Sequence, residues 1–256
     1  MIIHFLGTGT STGVPQIGCN CEACRSTDIR DKRLRTSALV VTDNRRHLLI
    51  DCGPDFRTQM LDAGAPALDA ILLTHTHYDH VGGIDDMRPY CGKHPDFPVY
   101  CQPNVARDLR NRVPYCFGSN LYPGVPTFNL REIDDTRPFS IGPDLITPLP
   151  VMHNPKMRIV GYRIGNLAYI TDCKTMLPET LEKIKGVDTL VINALRRKEH
   201  HSHMNLQEAL GVIQAVKPRV ALLTHLSHDM GCHADVERTL PDNVRIAYDG
   251  LTLTIP

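Results

Sequence analysis

The chain has no tryptophan, and aromatic residues fill only 5% of its 256 positions. That leaves little material for stacking the successive bases of a single strand. Neither charge is in excess, because 28 Lys+Arg face 28 Asp+Glu. No overall field therefore draws nucleic acid or an anionic membrane, and an anionic substrate must be attracted locally. No apolar run reaches the ~18 residues of a membrane span. The opening "MIIHFLGTG" lacks the basic region and cleavage site of a secretory leader, which points to the cytoplasm. No low-complexity linker interrupts the chain, so a single domain over 1–256 is expected, long enough to bury a full core.

What is present is an alternation of short β-rich runs and amphipathic stretches. "IIHFLG", "SALVVT", "HLLID", "AILLT" and "FPVYC" read as strands, with "DNRR" as a turn. "DFRTQMLDAG", closed by Gly64, and "NVARDLRNRV" read as helices, and a further helical segment is expected near Gly83–Tyr90. A Pro- and Tyr-rich loop over roughly 114–128 could be a lid or a plain surface loop. The second half offers strands "DLITPLPV", "IVGYRI", "LAYIT", "TLVINAL" and "RVALLTH". Helices "LPETLEKIKG" and "NLQEALGVIQAVK" lie between them, and a short helix precedes a closing hairpin "VRIAYDGLTLTI". Two β-rich halves, each with helices, imply an α/β protein built as a four-layer αββα sandwich.

Three histidines and an aspartate crowd into "HTHYDH" directly after the apolar run "AILLT". Strand ends are where α/β sheets present their ligand-binding loops. His75 and His77 are two apart, so in extended chain their rings share one side. Asp79 and His80 follow where the chain must turn, with Gly82 and Gly83 easing the bend. One imidazole pair can face one metal ion and the Asp–His pair another. Imidazole and carboxylate together suit Zn, Fe or Mn. Further donors are expected at other strand ends: His153 after "DLITPLPVM", Asp172 after "LAYIT" and His225 after "VALLT". Asp172 is the natural bridge, because a carboxylate offers an oxygen to each of two ions.

"GCNCEAC" sets Cys19, Cys21 and Cys24 in one tight loop. Thiolates this close oxidise, bind metal or merely coincide. In a reducing compartment tetrahedral zinc is the stronger reading, and His228, three residues beyond His225, is the candidate fourth ligand. The other six of the nine cysteines read as free thiols.

With these residues in view, "THTHYDH" and the downstream His153, Asp172 and His225 resemble the metallo-β-lactamase-fold hydrolases along nearly the whole chain. The resemblance implies an αββα fold with metals at the sheet edge. It implies one ion on His75, His77 and His153, a second on Asp79, His80 and His225, and Asp172 bridging them. It also matches Asp51 in "LLIDCG" to an acidic position that supports the ligands without binding metal. "GTGTSTGVPQIGCNCEAC" and "LLTHLSH" are further similar to the PhnP-type phosphodiesterases, which carry a structural zinc on such a knuckle. Cys173 stands where related enzymes often have a hydroxyl residue, a departure that could alter a hydrogen bond to the metal shell. By the same resemblance His203 matches a histidine placed against the scissile phosphate. His203 is thus the candidate for phosphate contact and proton delivery, with Asp79 the other catalytic candidate. His200 and His201 read as a solvated loop, and His4, His47, His94 and His233 as surface or packing residues.

The function so implied is hydrolysis of a small or cyclic phosphodiester by a hydroxide bridging two divalent ions (Mn, Zn or Fe), beside one structural Zn. The expected partner is a small-molecule phosphodiester, with no membrane. A homodimer is compatible with the sequence. Arg107, Arg110 and Arg112, at helical spacing, read as a solvated face, so no basic arm argues for nucleic acid. A glyoxalase II-like thioesterase uses nearly the same ligands and stays open, as does a tRNase Z-like nuclease. A β-lactamase fits least, since its second site usually includes a cysteine. A non-catalytic metal scaffold is opposed by the two carboxylates.

Overall fold

The computed structural model describes residues 1–92, 96–117 and 124–256. His94 and the centre of the proposed lid lie outside the described residues. Among the described residues the chain forms two sheets. The first holds β1 (Ile2–Gly7), β2 (Ser37–Val41), β3 (His47–Ile50), β4 (Ala70–Leu72), β5 (Phe97–Cys101), β6 (Phe128–Glu132) and β15 (Thr252–Thr254), in the order β15-β1-β2-β3-β4-β5-β6. The second holds β7 (Phe139–Ile141), β8 (Asp144–Asn154), β9 (Met157–Ile164), β10 (Leu167–Ile170), β11 (Thr175–Met176), β12 (Thr189–Asn193), β13 (Val220–Thr224) and β14 (Val244–Ile246). Its order is β11-β8-β9-β10-β12-β13-β14, with β7 paired to β8. The helices are α1 (Glu22–Arg25), α2 (Phe56–Asp62), α3 (Tyr78–Val81), α4 (Arg88–Cys91), α5 (Pro103–Arg112), α6 (Pro178–Lys183), α7 (Leu206–Val216) and α8 (His233–Glu237). None is long and apolar enough to cross a membrane.

Three apolar layers make this a four-layer αββα sandwich, the metallo-β-lactamase fold. Between the sheets lie Phe5, Leu48, Ile50, Leu72, Val160, Tyr162, Tyr169, Val191 and Leu222, nearly all fully buried. Outside the first sheet, Leu49, Ile71 and Val99 meet Phe56, Met60, Val105 and Leu109 from α2 and α5. Outside the second, Ala168, Ile170, Leu190, Ile192 and Leu223 meet Ala209, Ile213 and Val236 from α7 and α8. Truncating any of these large side chains to Ala costs about 2–5 kcal/mol. The parallel strands β3, β4 and β5, and β10, β12 and β13, are apolar on both faces because both faces are covered. All of them end at the same edge. Helix starts follow local chemistry: Pro103 and Pro178 stand at first positions, and Asn205 caps α7 reciprocally with Glu208.

The closing hairpin does not form. β14 pairs with β13 in the second sheet and β15 pairs with β1 in the first. The intervening turn is held by Gly250 N–H to Phe5 O and Phe5 N–H to Leu251 O, so the chain crosses between sheets. The stretch ending at Phe128 is described only in part. It contains a turn of 3-10 helix at Pro114–Cys116 and leads into β6, a polar edge strand whose exposed residues mask its pattern. Arg107, Arg110 and Arg112 are exposed on α5, as expected.

Candidate metal centre

The strand-end residues converge. Asp51 follows β3, His75 and His77 follow β4, His153 lies near the end of β8, Asp172 follows β10 and His225 follows β13. Three of these, Asp51, Asp172 and His225, hold left-handed backbones with φ of 61°, 55° and 56°. Such conformations cost about 1–3 kcal/mol each outside glycine and persist where surroundings enforce them, typically at functional sites.

Asp79 and His80 lie within α3, so the turn predicted there is helical. Gly82 and Gly83 do not supply a left-handed bend, since their φ values are −64° and −96°. Gly83 is needed for room: a Cβ there would lie 2.0 Å from the Gly53 carbonyl oxygen. This contact, with Cys52 N–H to His80 O at 2.8 Å, presses α3 against the end of β3.

The histidines are oriented from behind. His80 Nδ1 donates to Asp51 Oδ2 at 2.7 Å, which turns Nε2 toward Asp79 Oδ2 (3.3 Å) and Asp172 Oδ2 (3.1 Å). His75 Nδ1 donates to Thr74 Oγ1 at 2.9 Å, and the Thr74 hydroxyl donates in turn to Asp51 Oδ2 at 2.9 Å. His75 Nε2 is then 2.9 Å from His77 Nδ1. His153 Nδ1 donates to the Asp172 carbonyl at 2.7 Å. His225 Nε2 lies 3.3 Å from Asp172 Oδ1 and 3.5 Å from Asp79 Oδ2. Each ring except His77 and His225 spends Nδ1 on a protein acceptor and keeps Nε2 for the shared space.

Donor atoms within 4.8 Å of one another form three groups around this space: His75, His77 and Asp172; Asp79, His80 and His225; His153, Asp172 and His203. Asp172 belongs to two of them and sends Oδ2 toward His80 and Oδ1 toward His225 and His203. The His153 ring sits 5.0 Å from that of His77, while its tightest group is with Asp172 and His203. Burial would push Asp172 up, but the His225 and His80 rings hold its carboxyl well below the ordinary range. Burial, aided by His80, drives His75 well down.

These residues fit divalent cations. His80 Nε2, His203 Nδ1 and both nitrogens of His225 are buried with no hydrogen-bond partner, a costly state for polar atoms unless something binds them. Mixed imidazole and carboxylate donors suit Zn, Mn or Fe.

His203 is buried against this group, its Nδ1 3.6 Å from Asp172 Oδ1. Burial pulls its pKa down to about 3. Its ring lies 5.0 Å from His225 and 5.2 Å from His200, and His200 is 4.2 Å from His201. His200 and His201 lie in loop as expected, His201 exposed and His200 half-buried, with tilted rings that lead outward from His203. Cys173 does not reach the donors; it is buried in the outer core of the second sheet. The hydroxyl on the Asp172 carboxylate belongs to Thr171, which donates to Oδ2 at 2.7 Å.

The knuckle also assembles. Cys19, Cys21, Cys24 and His228 bring their donor atoms within 4.8 Å of one another, with both Cys19 and Cys21 Sγ 3.4 Å from His228 Nδ1. The backbone N–H of Cys24, aided by His228, lowers Cys21 to about 7. All nine cysteines are free thiols here. Ser11, Thr74 and Thr171 were not singled out in the sequence. Thr74 adjoins His75, and Ser11 falls within "GTGTSTG", so proximity to the motifs was the available signal.

Two sheets that deliver imidazoles and carboxylates to one edge define a metallo-β-lactamase-fold centre. A family model described as the beta-lactamase superfamily domain matches residues 46–226. The crystal structure of a diphosphatase from the PhnP family superposes with a TM-score of 0.92 at 34% identity, covering 100% of this chain and 98% of that one. Zn(2+)-bound PqqB from Methylobacterium extorquens superposes at 0.81 with 21% identity over the full length of both chains, a likeness of fold. An octanoyltransferase of Porphyromonas gingivalis is 45% identical over 252 residues, which are 98% of this chain but only 51% of that protein. The chain thus spans about half the length of that curated relative. The chain belongs to the beta-lactamase superfamily and, within it, to the PhnP family.

Proposed function

We propose that the chain is a binuclear metal-dependent phosphodiesterase acting on a small or cyclic phosphodiester. The observation that carries the reading is Asp172, which groups with His75 and His77 and again with His153 and His203, while its two oxygens lie 3.1 and 3.3 Å from His80 and His225 of the remaining group. In this reading His75, His77 and His153 hold one divalent ion (Mn, Zn or Fe), Asp79, His80 and His225 hold the other, and Asp172 serves both. Cys19, Cys21, Cys24 and His228 hold a structural zinc. Since the ligands come from both sheets, residues 1–256 act as one unit.

The ions, when bound, would supply an activated water and neutralise charge on the phosphoryl oxygens. His203 would offer an N–H to a phosphoryl oxygen. The approaching anion raises the affinity of the ring for a proton, which can then pass to the departing alkoxide. His200 and His201 add imidazole donors along the rim. The PhnP-family diphosphatase supports cleavage at phosphorus.

A second reading, hydrolysis of an acyl thioester, draws on the relative named octanoyltransferase. That name covers a protein twice as long, so it weighs less. Metal-reconstituted protein assayed on bis(p-nitrophenyl) phosphate beside an acyl thioester separates the two. Hydrolysis of the thioester alone reverses the ranking. Asp172→Ala should remove metal and activity together, while His203→Ala should keep the metals and lower kcat by about 10²–10⁴-fold. Full turnover by His203→Ala ends its assigned role.

A further inference from the structure

Ser11 donates from Oγ to Asp79 Oδ2 at 2.8 Å. That oxygen is the one facing His80 and His225. A hydroxyl donating to a carboxylate is among the stronger neutral-to-ion hydrogen bonds, and it fixes which way the carboxylate turns. We propose that Ser11 is a positioning residue for Asp79, and that the cysteine knuckle acts on the metal centre through it. The inference rests on the binuclear reading for its metal ions and on no particular substrate.

The backbone on either side of Ser11 is tied down, though Ser11 itself is exposed. Thr10 N–H donates to Leu226 O at 3.0 Å, beside His225, and Gly13 N–H donates to Thr10 O at 2.8 Å. The next residues are tied to Arg33 by paired bonds between Val14 and Arg33 (2.9 and 2.7 Å). Gln16 N–H then donates to Cys24 Sγ at 3.3 Å, and Cys19 N–H donates to Gln16 O at 3.0 Å. Ser11 and the knuckle are therefore ends of one short, closed run.

The knuckle's other arm returns the same way. His228, 3.4 Å from Cys19 and Cys21, follows His225 by three residues, and Ser227 N–H between them is bonded to Leu195 O. A zinc on the knuckle would therefore fix two chain segments that each reach the centre. Of these, the N-terminal arm ends in a hydrogen bond on a candidate ligand oxygen. Supporting contacts of this kind are worth roughly 10–100-fold in metal affinity.

The test measures Mn(II) binding by electron paramagnetic resonance, on wild type and Ser11 variants that keep the knuckle zinc and on a His228 variant chosen to loosen it. Manganese prefers carboxylate and imidazole over thiolate, so it reports the catalytic donors. Ser11→Ala should weaken one of two Mn(II) equivalents by about tenfold or more. Ser11→Thr, which keeps the hydroxyl, should restore it. His228→Ala should produce a similar weakening, and the double variant no more than either single one. Wild-type Mn(II) affinity in Ser11→Ala overturns the positioning role, including the case where only KM for a phosphodiester changes. Additive losses in the double variant overturn the link to the knuckle. Because the readout is ion binding, a protein that hydrolyses no phosphodiester can still pass or fail.

Discussion

His80 and Asp51 share a 2.7 Å hydrogen bond with both side chains fully enclosed. Asp51 also accepts Thr74 N–H at 2.8 Å and the Thr74 hydroxyl at 2.9 Å, so one carboxylate orients donors on both sides of the centre. It stands behind the metal space and touches it only through His80 and, by way of Thr74, His75. Asp51→Asn keeps one acceptor oxygen but puts an amide where the imidazole N–H must donate. The expected result is a fall in metal affinity of about 10–100-fold. Competition with a graded series of chelators measures it, and unchanged affinity would show the contact to be dispensable.

Glu208 closes a second brace. It accepts Asn205 N–H at 2.8 Å with one oxygen and Lys174 Nζ at 2.7 Å with the other. It thereby ties the start of α7, two residues after His203, to the segment two residues after Asp172. Glu208→Ala loses the reciprocal cap and the ion pair, and stability should drop by about 1–2 kcal/mol. If the brace also aims His203, kcat falls while metal content stays at wild-type stoichiometry. A urea titration and elemental analysis on one preparation separate the two effects.

His233 predicts an acid sensitivity that does not involve the donor groups. Burial, with the Arg33 and Arg30 guanidinium groups, lowers it to about 4. Its Nδ1 lies 3.4 Å from Arg33 Nη2, its backbone N–H is held by Asp31, and Glu237 approaches Nε2 at 3.7 Å. The folded chain resists protonation more than the unfolded one, so this group's contribution is present above pH ~6.5 and is lost as pH falls toward about 4. His233→Gln should be less stable than wild type at pH 7, and the gap should shrink by about 1–2 kcal/mol at pH 4.5. A constant gap in urea midpoints across that range would exclude the effect.

Gly83→Ala tests the packing that seats α3. The added methyl must displace the Gly53 carbonyl and the Phe56 side chain. Overpacking of this kind costs about 1–3 kcal/mol, and here it pushes on the helix that carries Asp79 and His80. A lowered Tm with loss of one metal equivalent is the expected pair of outcomes.

The donors at strand ends were legible because each announces itself locally, as an apolar run followed by His or Asp. "AILLT" and "VALLT" specify their own strands through continuous burial, so His75 and His225 followed. The pairing of β14 and β15 was not legible. Five residues separate them, a hairpin length, and only the distant Phe5 and β13 decide that they part. The bracing by Thr74, Thr171 and Ser11 was hidden for a related reason. A hydroxyl beside a histidine has many local uses, and its partner, Asp51 or Asp79, is fixed only when separate loops meet. His200 and His201 were legible as loop, and His201 is exposed; the approach of the His200 ring to His203 depends on how the loop closes between Leu195 and Met204.

The centre draws His75, His77, Asp79 and His80 from the first sheet and His153, Asp172 and His225 from the second. Cations held among them would rivet two halves that otherwise adhere through oil-like contact and a few hydrogen bonds, such as the Tyr162 hydroxyl to Leu73 O at 2.6 Å and Val160 N–H to Thr74 O at 3.3 Å. Stripping those cations should then do more than silence chemistry. It should let the halves breathe, so that amide exchange accelerates along the seam between β4 and β9 before either outer helical layer loosens.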